Sequence, residues 1–180
     1  MSLSISVLMS VILGETVMPM PSLVSALVVP VVLALLAPLI PVIATCYGLD
    51  RAVRRLERLA VRDVVIRDQA AVLAMVAVTA AVIMPIWRAG IWPLGLGYLR
   101  NLMGCLGLAL LAVPMLGARL AALPPVAAVI ISALLGTGMG GAAKWWAWPI
   151  ADADSWWAFL SGVAILAVGL VAYRVGERRP

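Results

Sequence analysis

Long runs without a single charged residue constrain this chain more than any motif in it. Its thirteen Lys and Arg and eight Asp and Glu are gathered into a few short stretches. Residues 23–46, 70–87 and 156–173 carry no charge at all, and residues 98–116 carry only Arg100. A helix that crosses a hydrocarbon core of roughly 30 Å needs about 20 mainly apolar residues, and each of these segments qualifies. Residues 125–143 form a fifth candidate, Gly-rich but uncharged. The chain is 65% hydrophobic and 12% charged, whereas soluble domains run near roughly 45–50% and 25%. The expectation is an all-α integral membrane protein with five to six transmembrane helices, a single domain over residues 1–180.

The start, residues 3–20, is interrupted by Glu15 and closed by Pro19 and Pro21. It is read as a sixth span, with two alternatives open. A short interfacial or re-entrant helix is one. A cleaved signal peptide is the other, though no basic leader or small-x-small cleavage site precedes Pro21.

Charge position sets the orientation. Arg51, Arg54, Arg55, Arg58, Arg62 and Arg67 share one segment, and Arg174, Arg178 and Arg179 share another. Bases that flank apolar spans mark cytoplasmic loops, which argues for a plasma-membrane, multi-pass protein and against nucleic-acid binding. Four expected spans separate the two segments, so both fall on one side. The seven tryptophans, Trp87, Trp92, Trp145, Trp146, Trp148, Trp156 and Trp157, then gather at the other side as an outer aromatic belt, because indole prefers the membrane–water interface. A lid for an amphipathic substrate is the other reading of residues 144–157. With six spans, both termini are cytoplasmic.

Residues 50–69 repeat apolar side chains at Leu49, Val53, Leu56, Ala60 and Val64, a helical stripe with arginines on the remaining faces. Asp50–Arg54 and Asp63–Arg67 add acid–base pairs four apart, each worth about 0.2–0.5 kcal/mol. A cytoplasmic amphipathic helix is expected, lying on anionic headgroups, docking a partner through Arg51, Arg54, Arg55, Arg58 and Arg62, or both. Within the spans, Arg100 and Glu15 stand out. A charge inside the membrane costs on the order of 3 kcal/mol and usually finds a partner. Three arrangements follow: Glu15 pairs with Arg100, Arg100 meets Asp152 or Asp154, or Arg100 snorkels to the outer interface.

Enzymatic chemistry finds no support. There is no histidine, hence neither the commonest general base nor the commonest metal ligand. Cys46 and Cys105 sit in or beside apolar spans without a disulfide framework, and Asp152 with Asp154 supplies too few oxygens for a metal site. Residues 136–141 are Gly-rich, but no Lys-Ser/Thr follows, so they make no phosphate loop. Gly136 with Gly140, and Gly104 with Gly107, instead form small-residue faces for close helix packing. Pro30, Pro38 and Pro41 are expected to kink a helix over 23–46.

The string Tyr98-Leu99-Arg100-Asn101-Leu102-Met103-Gly104, followed by Gly107-Leu108-Ala109-Leu110-Leu111, Gly117-Ala118-Arg119-Leu120 and Leu123-Pro124-Pro125, resembles small membrane proteins common in actinobacteria. Trp146-Ala147-Trp148-Pro149 and Leu56-Glu57-Arg58-Leu59-Ala60 fit the same group. Over residues 35–175 the chain looks like the permease subunit of type-2 ABC exporters. That resemblance implies a six-helix permease that binds no cofactor itself, uses ATP only through a partner ATPase, and pairs with a second permease chain. Its substrate would be a peptide, lipid or antibiotic-like molecule. The chain departs from the pattern in having little room for a re-entrant hairpin before its last span. A non-transporting membrane partner, such as an immunity or scaffold subunit, is the alternative.

Overall fold

The computed structural model describes residues 17–21, 28–32, 36–49, 64–138 and 141–177. Helix dominates these residues: α1 (Leu39–Leu49), α2 (Val64–Arg88), α3 (Gly95–Leu116), α4 (Leu123–Leu135) and α5 (Trp156–Glu177). A one-turn 3-10 segment, Trp148–Ile150, interrupts the connection from α4 to α5. A short antiparallel ribbon, β1 (Val17–Pro21) against β2 (Val28–Val32), precedes them. Three helices, α2, α3 and α5, are long and apolar enough to cross a membrane.

Two expected spans, and the end of a third, are corrected. Residues 23–46 do not form one kinked helix: they enter β2 first and reach α1 only at Leu39. The prolines explain the division. Pro41 lies in the first turn of α1, where its missing N–H leaves no bond unmade. Pro19 faces Pro30 and Pro21 faces Val28 in the ribbon. These alternate pairs belong to one class of the antiparallel ladder, so donors are needed only at Met18–Val31 and Met20–Val29. Strand rather than helix at residues 17–21 likewise corrects the helical reading of the end of segment 3–20.

The expected span 125–143 is the second correction. It is helical only through Leu135, and α4's 13 residues rise about 20 Å, short of the roughly 30 Å hydrocarbon core. Beyond it the Gly-rich stretch turns back on itself. Thr137 and Ala143 form an isolated bridge, Gly138 N–H donates to Ala142 O at 2.9 Å, and Lys144 N–H donates to Gly136 O at 2.7 Å.

The core is built on α3, which packs α5 along nearly its full length. A Cβ at Gly162 would run into the Arg100 backbone, one at Gly169 into Gly107, and one at Gly176 into Pro114. The three contacts advance together in the same chain direction, so α3 and α5 run parallel. They also recur at every seventh residue of α5, the repeat that keeps one seam facing a partner helix. Close backbone approach drives helix association in lipid, where apolar side chains gain nothing by leaving the solvent. Gly107 thus lies in the α5 seam. Gly104 and Gly136 have other roles, described below.

Polarity at the far end ties the bundle together. Tyr173 O–H donates to Asp68 Oδ2 at 2.6 Å, and Gln69 Nε2 donates to Leu170 O at 2.6 Å. The beginning of α2 and the end of α5 therefore share one pole. The start of α3 and the start of α5 share the other.

Candidate functional site

Because α3 and α5 are parallel, the chain between them must return through the length of the bundle. It does so as α4 followed by a return segment, residues 136–155, whose described residues are mostly irregular. Backbone without a helical ladder leaves N–H and C=O groups unmatched, and inside a membrane it is tolerated only where protein covers it. Here the covering comes from the first two turns of α3.

Arg100 and Asn101 are the residues that do it. Arg100 is 1% exposed and Asn101 is fully buried. Arg100 Nη1 donates to Asp152 O at 2.8 Å. Nη2 donates to Ala151 O at 2.8 Å and, at 3.5 Å, to Pro149 O. Nε reaches Asn101 Oδ1 at 3.3 Å, and Asn101 Nδ2 donates to Pro149 O at 2.9 Å. Three carbonyls within four residues of the return segment, those of Pro149, Ala151 and Asp152, thus end on two neighbouring side chains. Asp152 O also accepts from Ser155 N–H at 3.0 Å, just where α5 begins.

Packing completes the attachment. Trp148 is 7% exposed, and its ring lies on Gly104, where any Cβ would overlap it. Gly136 gives room in the same way to Ala147 and Ile150. Counting along α3 at 1.5 Å per residue, the arginine lies about 8 Å and the tryptophan seat about 14 Å from the helix start. The return segment is therefore threaded well into the bundle.

The expected site residues fall as follows. Arg100 does not snorkel. It meets Asp152, but through the backbone carbonyl; the Asp152 carboxylate is exposed and acts on the guanidinium only through space. Among the described residues its hydrogen bonds end on neutral oxygens. Glu15, the other proposed partner, lies outside the described residues, as do Arg51, Arg54, Arg55, Arg58 and Arg62 of the docking helix. Of the expected aromatic belt, Trp92 and Trp148 are core residues. Trp92 packs against Tyr98 with ring centroids 5.7 Å apart, and Trp148 fills the glycine seat. Trp145, Trp156 and Trp157 are exposed, and Trp87 and Trp146 half-buried. Lys144 Nζ lies 6.0 Å over the Trp146 ring.

Sequence reasoning missed Asn101 as a donor and Trp148 as an anchor. A signal for the seam was present in the seven-residue spacing of Gly162, Gly169 and Gly176. At the opposite pole an open groove of about 340 Å³ lies between α1 and α2, with Thr45, Asp68, Val72 and Met75 among its walls. Set against protein-family models, curated proteins and solved structures, the chain matches none.

Proposed function

We propose that this chain is the membrane-embedded permease subunit of an ABC-type exporter, moving a peptide, lipid or antibiotic-like substrate while a separate chain hydrolyses ATP. One observation carries the reading: an interrupted helix whose irregular continuation is held inside the bundle by a buried arginine. Intramembrane charge and broken helices are both costly, and membrane proteins retain them at pathways and moving parts. On this reading the chain crosses the plasma membrane several times. The pole of Asp68 and Tyr173, next to the arginine-rich segment, faces the cytoplasm, and the pole of Trp145 and Trp156 faces outward.

The glycine seam supports a second reading, a non-transporting immunity or scaffold subunit. Gly107 and Gly169 bring two backbones into direct contact, which leaves no passage between α3 and α5. A transport path would then run between this chain and a second permease copy.

Co-purification from native membranes in mild detergent separates the two. A stoichiometric ATPase that is lost when Arg54, Arg55 and Arg58 become glutamine supports the exporter. A stable partner without ATPase activity supports the scaffold. A cysteine introduced at position 60 tests orientation, since its reaction with an impermeant thiol reagent on intact cells would invert the map.

A further inference from the structure

Arg100 holds a full positive charge out of water against neutral partners. A guanidinium is charged at any physiological pH and presents a planar fork suited to two oxygens of a carboxylate or phosphate. Here the fork is filled by the carbonyl oxygens of Asp152, Ala151 and Pro149. An anionic acceptor adds Coulomb attraction to the hydrogen bonds that the guanidinium already makes to neutral oxygens, and it matches the fork's geometry. The present partners are therefore exchangeable for better ones.

The segment that supplies them has only a one-turn 3-10 element of its own. Its internal backbone bonds are short-range turns, Ala147 N–H to Lys144 O at 2.9 Å, Ile150 N–H to Ala147 O at 3.2 Å and Ala151 N–H to Trp148 O at 3.4 Å. Its Asp152, like Trp145 and Asp154 on either side of it, is exposed. Earlier in the return, Thr137 is 4% exposed and its hydroxyl has no hydrogen-bond partner among the described residues.

We propose that Arg100 and Asn101 form a binding site for the oxyanion of a phosphate-bearing ligand, which the carbonyls of Pro149–Asp152 occupy as stand-ins in the closed molecule. Ligand entry displaces the segment from the arginine fork towards the exposed pole. Trp148 then leaves its seat on Gly104, and Asp152 and Asp154 depart with the segment rather than opposing the incoming charge. Nη1 and Nη2 take two phosphate oxygens, and Asn101 Nδ2 takes a third. No covalent step is involved. The inference rests on the chain being membrane-embedded and is independent of whether it transports.

Hydrogen exchange followed by mass spectrometry on the full chain in phosphatidylcholine nanodiscs tests it. The probes are dodecyl phosphate, inorganic phosphate and dodecanol. Either phosphate should accelerate exchange across residues 147–152 about tenfold, the gain expected when neutral acceptors give way to charged ones, whereas dodecanol should not. A response to dodecyl phosphate alone assigns the ligand to the membrane, and a response to inorganic phosphate assigns it to water. R100Q should abolish the response while α3 and α5 amides stay protected, and R100K should weaken it. If R100Q fails to fold, the comparison of dodecyl phosphate with dodecanol on the unaltered protein decides alone. Equal acceleration by dodecanol, no acceleration by either phosphate, or a full response in folded R100Q overturns the proposal.

Discussion

Replacing Gly169 with alanine adds one methyl group to α5 where α3 passes closest. The new carbon would overlap the Gly107 carbonyl and come within 2.8 Å of its Cα. Those atoms belong to helix backbone, and no side chain can rotate aside. The two helices must part by on the order of 1 Å, at the upper end of the 1–3 kcal/mol that overpacking costs. Alanine's better helix propensity returns about 1 kcal/mol, leaving a net loss of about 2 kcal/mol. The parting also loosens the neighbouring contacts at Gly162 and Gly176, so the loss should exceed that of a single isolated clash. Gly48 in the last turn of α1 is the control. Nothing lies within 4 Å of a Cβ there, so Gly48→Ala should be neutral or stabilise by up to about 1 kcal/mol. Unfolding in mixed micelles by added dodecyl sulfate, followed by far-ultraviolet circular dichroism, measures both. A Gly169→Ala midpoint equal to the parent's, or a Gly48→Ala loss as large, would refute the parallel glycine seam.

Trp148→Ala should cost about 3–5 kcal/mol in the same titration, as for other large aromatic deletions from a packed core; a loss below 1 kcal/mol would mean that the ring does not rest on Gly104. Asn101→Leu keeps the branched shape but removes both the donor to the Pro149 carbonyl and the acceptor of Arg100 Nε, a penalty of at least about 1–3 kcal/mol, and unchanged stability would remove it from the attachment. Tyr173→Phe should cost about 1 kcal/mol, a bond to a carboxylate discounted for partial exposure. Its effect should be confined to faster exchange at the start of α2, and equal loosening near Arg100 would contradict the separation of the two poles. Trp145 is 83% exposed, so Trp145→Phe should remove the most readily quenched part of the tryptophan emission, a result that acrylamide titration reads directly.

The three long helices were legible because a run of about twenty mainly apolar residues has few alternatives in a membrane. The stretches at 23–46 and 125–143 met the same criterion and folded otherwise. Composition counts valines and glycines as apolar. It does not register that Pro19, Pro21 and Pro30 suit one class of ribbon pair, or that six residues from Gly136 with four glycines give a helix little reason to continue. Arg100 was visible as a charge in need of a partner. The partner was invisible, because every residue has a backbone carbonyl and none leaves a mark in the sequence. Exposed and buried tryptophans were likewise indistinguishable by type; only a facing glycine, Gly104, separates Trp148 from the indoles beside it.

The parallel seam has a consequence for how the chain is made. Gly107, near the middle of α3, finds its counterpart Gly169 only after α4, the return segment and most of α5 have followed it out of the ribosome. During that interval α3 must wait in the bilayer with its small-residue groove covered by lipid or a chaperone, and Arg100 must wait with it. Contacts between residues so far apart in sequence form slowly, so the commitment to a finished bundle comes late in synthesis. Damage to the last helix would therefore surface as a quality-control failure of the whole protein, with the third helix inserted and never closed.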